Sequence, residues 1–226
     1  INTANARILN FSLSDNNPLD IIAIDGISCK PFKAKKIILG PAQRVDILVE
    51  DSSQLKSLFE VSNKEPLKVA DFIPTDLVIE DHLNLIDPIV HHEVPALLTP
   101  KIIEIHMQGG AMGNLSSAIF EGEKKELRDL ALDHSKLWAF NGHIGNYDFQ
   151  IAKVSLGDLI ILKIWNDTNW PHSMHLHGQH FWVNSKEFDG QNRFLLRDTY
   201  LMERGEKAEF IFKANNPGDW LFHCHM

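Results

Sequence analysis

The chain has 226 residues, 44% of them hydrophobic and 23% charged, with a formal net charge of -8 and two cysteines. That apolar content supplies one or two buried cores, and the acidic balance argues against a nucleic-acid partner, which demands clustered Lys and Arg. No apolar run approaches the roughly 20 residues of a membrane-spanning helix, and two cysteines cannot make a disulfide framework.

Strand signals dominate from the start. Short runs rich in branched residues at 6–12, 21–24, 36–39 and 45–49 are punctuated by Asp15-Asn16-Asn17-Pro18, Asp25-Gly26 and Gly40-Pro41, the composition of strands joined by turns. Between them the lone Cys29 reads as a small packing side chain. Between residues 75 and 100 the pattern loosens around Pro88, Pro95 and Pro100. This stretch is expected to be an interdomain linker between one unit over 1–74 and a second over 101–226. Strand character resumes at 102–106 and is followed by a Gly-Met loop, Met107 to Gly113, whose methionines are expected to pack rather than bind a cuprous ion. The run 154–164 predicts a hairpin turning at Gly157-Asp158, and 194–212 predicts a strand pair turning at Gly205-Glu206. Trp138, Trp165, Trp182 and Trp220 read as core aromatics. The whole is all-β and antiparallel.

Chemistry concentrates in two segments. The last four residues are His223-Cys224-His225-Met226, and the upstream cluster is His172-Ser173-Met174-His175-Leu176-His177-Gly178-Gln179. Side chains alternate along a strand. If both segments are extended, Cys224 faces away from His223 and His225, and His172 faces away from His175 and His177. The sets pair by face: a thiolate with an imidazole on one side, and His175, His177, His223 and His225 on the other. Thiolate plus imidazole is the ligand set of a blue-copper electron-transfer centre, and an imidazole cluster also suits copper. Zinc is the competitor, but its Cys and His ligands are spaced to converge on one ion, which adjacent His-Cys-His does not allow. The other histidines read differently. Residues 1–171 contain no His-x-His; His82, His106, His134 and His143 stand alone, and His91-His92 has the wrong parity. Each is taken as structural or solvated.

These motifs resemble those of the multicopper oxidases, the family of laccases and bacterial copper or metal-ion oxidases. The family's upstream motif, His-Pro-x-His-Leu-His-Gly-His, is matched from His172 to Gln179, and its downstream His-Cys-His by His223-Cys224-His225. Ser173 stands where the family usually has Pro, and Gln179 where it has His; neither family position is a copper ligand. Asp25-Gly26, the run from Gly40 to Asp46, Trp138 to Gly142, and Arg197-Asp198-Thr199 extend the likeness over most of the chain. The resemblance implies cupredoxin-like Greek-key β-sandwiches, one partial and one nearly complete. It implies a type 1 copper at His172 and Cys224, a type 2 copper at His175, and a type 3 copper pair at His177, His223 and His225, with Cys224, His223 and His225 forming the route between centres.

The activity so implied is a laccase-like oxidation of phenolic, aromatic or metal-ion reductants, one electron at a time, coupled to four-electron reduction of dioxygen to water. Alternatives are a cuprous oxidase for copper tolerance, a nitrite reductase built of the same domains, or a copper-binding electron-transfer module without oxygen chemistry. The last would leave both His-x-His pairs unexplained. The resemblance further implies a periplasmic or extracellular location, and an N-terminal cupredoxin domain that supplies the remaining cluster ligands. It puts a second type 1 His and the axial ligand after Met226. The expectation is therefore an internal piece of a longer polypeptide, inactive when isolated.

Overall fold

The computed structural model describes residues 1–14, 17–48, 56–73, 92–96, 98–145, 149–188 and 190–226. His82, His91 and most of the expected linker lie outside the described residues. Within them the chain is almost entirely β, and it divides into two compact units: residues 1–94 with 184–200 and 225–226, and residues 95–183 with 201–224.

The first unit carries β1 (Leu9–Leu13), β2 (Leu19–Ile24), β3 (Ile27–Ala34), β4 (Ile37–Leu39), β5 (Val45–Leu48), β6 (Lys56–Glu60) and β7 (Leu67–Phe72). They form two antiparallel sheets, ordered β4-β1-β6-β7 and β3-β2-β5. Alternate residues of β2 and β4 turn inward, so Leu19, Ile21, Ile37 and Leu39 are buried in one core with Leu13 and Ala34, and a bulge between Ile21 and Ala23 brings Ile24 into it as well. This is the period-two pattern that the sequence shows for a strand with one covered face. The expected Asp25-Gly26 turn joins β2 to β3, with both residues at positive φ, 51° and 80°. A two-residue loop of this kind matches the twist of the flanking strands.

A polar knot fastens the same unit. Asp25 is buried, and its carboxylate accepts from the Arg44 amide at 3.0 Å, the Thr199 amide at 3.3 Å and Arg197 Nε at 3.4 Å. Arg197, 1% exposed, also pairs with Glu187. Arg44 grips Asp198 with two nitrogens, at 2.7 and 3.3 Å. The landmarks Asp25, Arg44, Arg197, Asp198 and Thr199, far apart in sequence, thus belong to one network. Cys29 packs against the core, and burial pushes its thiol up to about 11, so it is a protonated packing residue at neutral pH, as expected.

The second unit contains β8 (Lys101–Gly109), β9 (Ser117–Phe120), β10 (Glu123–Glu126), α1 (Leu127–His134), β11 (Trp138–Phe140), β12 (His143–Ile144), β13 (Leu159–Asn166), β14 (His172–Leu176) and β15 (Phe181–Ser185). The end of β15 and all of β16 (Arg193–Arg197) lie in the first unit, β17 (Thr199–Met202) also spans the division, and β18 (Lys207–Lys213) and β19 (Phe222–Cys224) complete the second. Its main sheet runs β10-β9-β12-β11-β8-β13-β18-β15. At its centre β13 lies parallel to β8 over seven residue pairs and antiparallel to β18 over seven more. Parallel pairing needs a long crossover connection, here supplied by residues 110–158 with the short helix. That helix is the one departure from strand and turn among the described residues. It ends where Ser135 takes a left-handed conformation and its amide bonds to the Leu130 carbonyl, a standard C-terminal stop.

Several sequence expectations are corrected. Trp138, Trp165 and Trp220, read as core aromatics, are 42%, 36% and 44% exposed, and the β8–β13 pairing is parallel where the whole was expected to be antiparallel. The run 154–156 is not a strand: the Ser155 amide bonds to the Asp158 carboxylate at 2.7 Å and Asp158 to the Ser155 carbonyl at 3.1 Å, a local turn that consumes the groups a ladder would use. The strand begins at Leu159. Gly205-Glu206 does turn the chain, but β18 pairs with β13 and β15 and not with β17.

Candidate metal centre

The site grows from one short ladder. β14 and β19 pair antiparallel with Met174 opposite Cys224, His175 opposite His223 and Leu176 opposite Phe222. Opposed residues in a ladder share a face, and neighbours along a strand alternate. His175 and His223 therefore point to one side, and Cys224, Met174 and His172 to the other. Within the ladder the side chains alternate as the two motifs suggested, while His177 and His225 lie beyond its ends.

On the Cys224 side, His172 is 5% exposed and its Nδ1 lies 3.4 Å from the Cys224 sulfur. Its Nε2 is 3.0 Å from the Thr168 hydroxyl oxygen, which in turn lies 2.7 Å from Asn166 Oδ1. The single Thr168 proton has two acceptors in reach that can only accept, Asn166 Oδ1 and the Trp170 carbonyl at 3.0 Å, and with the proton on either of them the hydroxyl oxygen accepts from His172 Nε2–H. Nδ1 is left with its lone pair aimed at sulfur. Asn166 is itself fixed, donating through Nδ2 to the carbonyls of Trp170 at 2.8 Å and Glu203 at 2.9 Å. Burial pulls the His172 pKa down to about 4, so the ring is neutral at pH 7 and able to ligate. Trp138 meets its edge, ring centroids 4.7 Å apart.

On the opposite side, ligand atoms of His175, His177 and His223 all lie within 4.8 Å of one another. His177 Nε2 and His223 Nε2 are 2.9 Å apart. His223 Nδ1 lies 3.0 Å from the Cys224 carbonyl oxygen and must donate to it, which leaves His223 Nε2 as acceptor and His177 Nε2 as donor. A second-shell bond to a ring nitrogen is the usual way of presenting the other nitrogen to a metal. His225 follows the end of β19 and is half-buried; the three-imidazole group does not include it. Three of the other described histidines have partners of their own: His106 pairs with Asp167, His134 lies against Phe120, and His143 stacks on Phe149. Met107 is buried at 3% exposure and packs as expected, whereas Met112 is 81% exposed and does not.

Both donor sets fit copper by their chemistry: a sulfur beside a neutral imidazole on one face, and imidazole nitrogens within a few ångströms on the other. Thr168 and Asn166 are additions to the sequence reading. They stand only four and six positions before His172, and a buried hydroxyl just upstream of a ligand His was the available signal.

Residues 122–226 match the sequence profile of the family described as Multicopper oxidase. Over these residues the chain is a multicopper oxidase domain. Among curated multicopper oxidases, the protein mco of Staphylococcus haemolyticus is 25% identical over 100% of this chain and 44% of its own length. The iron transport multicopper oxidase FET3 of Saccharomyces cerevisiae is 22% identical over 94% of this chain and 41% of its own. Among solved multicopper oxidases, the laccase-like CueO of Ochrobactrum sp. superposes with a TM-score of 0.73 at 21% identity, covering 98% of this chain and 50% of that one. The chain spans about half the length of the multicopper oxidases it matches. The shared fold is the cupredoxin sandwich.

Proposed function

We propose that this chain is the copper-ligating part of an oxidase that joins one-electron oxidation of a small reductant to reduction of dioxygen to water. One observation carries the reading: the β14–β19 register turns Cys224 toward His172 on one face and sets His175 beside His223 on the other, where His177 joins them from the adjoining turn. The multicopper family, whose cofactor is copper in type 1, type 2 and type 3 centres, supports it. Copper held at these faces supplies one-electron redox chemistry on the thiolate side and dioxygen reduction on the imidazole side.

The residues do the rest. His172, through Nδ1, and the Cys224 thiolate hold the type 1 ion; His175 the type 2 ion; and His177, His223 and His225 the type 3 pair, with further ligands from outside these residues. Thr168 fixes the His172 tautomer, and burial keeps that ring neutral and dry. The bonded stretch from Cys224 to His223, strengthened by the Nδ1 to carbonyl hydrogen bond, is the shortest covalent link between the faces. A rigid ladder holds all of these groups in one geometry through changes of oxidation state. The reductant is a phenol or a metal ion. Among the described residues no helix is long and apolar enough to cross a membrane, and we place the enzyme in the periplasm or outside the cell on the strength of the family.

The test is Cys224→Ser in the whole protein. We expect the intense blue absorption and oxidase turnover to disappear while copper on the imidazole side is retained. Turnover unchanged in that variant refutes the link between faces, and oxygen uptake compared for phenols, cuprous ion and nitrite assigns the substrate.

A further inference from the structure

The β14–β19 ladder ends at Leu176 opposite Phe222. His177 lies one residue beyond it, in a turn, so the ladder alone does not position this ring. The turn is nevertheless tied to the loop before β19 by contacts that no metal-facing side chain makes. The His177 amide donates to the Leu221 carbonyl at 2.9 Å. Asn216 Nδ2 donates to the Gly178 carbonyl at 2.9 Å. The Asn216 carbonyl accepts from Trp220 Nε1 at 2.9 Å and from Gln179 Nε2 at 3.3 Å.

The Trp220 ring lies directly on Gly178, where an added Cβ would stand 2.3 Å from Cδ2 and Cε2. Gly178 also has a φ of +68°, a left-handed conformation that glycine adopts without penalty. Only glycine fits under the indole. Gln179 is one of the two positions at which the chain departs from the family motif, and the structure gives its amide a use in this contact.

We propose that Trp220, Asn216 and Gln179 are positioning residues, a latch that seats the His177 turn against the strand bearing His223. The latch sets the 2.9 Å separation of the two imidazoles and so the tightness of the metal site they share. Its consequence for metal rests on the copper reading above, whereas the latch itself is testable in metal-free protein.

The experiment uses the 226-residue chain and its Trp220→Ala, Trp220→Phe, Gln179→Ala and His177→Ala variants. Imidazole ¹⁵N NMR of the metal-free protein reads the hydrogen-bonded His177 Nε2 proton, and titration with zinc chloride, followed at the resonances of His175, His177 and His223, reads affinity. Trp220→Ala and Gln179→Ala should lose the protected His177 proton and bind zinc about 10-fold or more weakly, the usual range for loss of an outer-shell partner. The His172 resonances should stay in place, and Trp220→Phe, which keeps a ring over Gly178, should recover part of the affinity. The latch is overturned if Trp220→Ala and Gln179→Ala keep the protected proton, or if they lose it only together with the His172 signals in a general loss of fold. If His177→Ala binds zinc as tightly as the parent, the metal reading fails instead, and the latch is judged by the metal-free signal alone.

Discussion

Replacing Thr168 with Val isolates the role of one hydroxyl in preparing His172. The substitution nearly preserves volume and removes the oxygen that lies 3.0 Å from Nε2. His172 is 5% exposed, so water does not replace the lost acceptor. An orphaned buried donor costs about 1–3 kcal/mol, and this is the expected loss of stability in the metal-free chain. The ring can escape the cost by moving its proton to Nδ1, which then faces the Cys224 sulfur at 3.4 Å with no lone pair to offer. Metal affinity on that face should therefore fall by about 10–100-fold, as for other outer-shell losses. Urea denaturation of the metal-free protein measures the first effect. Cobalt(II) titration, followed at the thiolate charge-transfer band, measures the second. Thr168→Ser should restore both. A Val variant as stable as the parent and equally avid for cobalt would refute the tautomer argument.

Three further outcomes are expected. With the His172 pKa held near 4 against about 6.5 when unfolded, the unfolded chain binds the extra proton. Metal-free stability should therefore be full above pH 6.5 and fall as pH drops from 6.5 to 4. The loss attributable to this ring is on the order of 3 kcal/mol, and it should vanish from the pH profile of His172→Asn. Arg197→Ala leaves Asp25 and Glu187 without their buried cation and should cost about 3–5 kcal/mol by urea denaturation. Arg197→Lys should recover only part, because a single ammonium cannot reach both carboxylates in the same geometry. Gly110→Ala would press a Cβ to 2.1 Å from the Trp138 ring at a φ of +78°, and the expected cost is about 1–3 kcal/mol, read as a lower thermal midpoint.

Much of this was legible in the sequence because it follows from periodicity. Alternation in β2 and β4 marks the covered face without reference to anything distant, and the two His clusters carry their parity in their spacing. What escaped depends on competition between local and long-range bonds. Val154 and Leu156 have strand composition, yet Ser155 and Asp158 close a turn on each other. The parallel partnership of β8 and β13 joins segments that no short-range pattern connects. The Thr168 hydroxyl and the Asn216 hub act through single hydrogen bonds, and polar residues in loops look alike until their partners are known.

The shared ladder of β14 and β19 also has a consequence for how this part of the chain can change over time. A substitution on either strand alters one side chain, but an inserted or deleted residue between His172 and Leu176, or between Phe222 and Cys224, inverts every side chain beyond it and exchanges the thiol for an imidazole on each face. Exposed turns outside the ladders, such as Asn63 to Pro66 between β6 and β7, are under no such constraint. Length variation between lineages, and grafted loops in engineering, should collect there, while the ladder itself keeps its count.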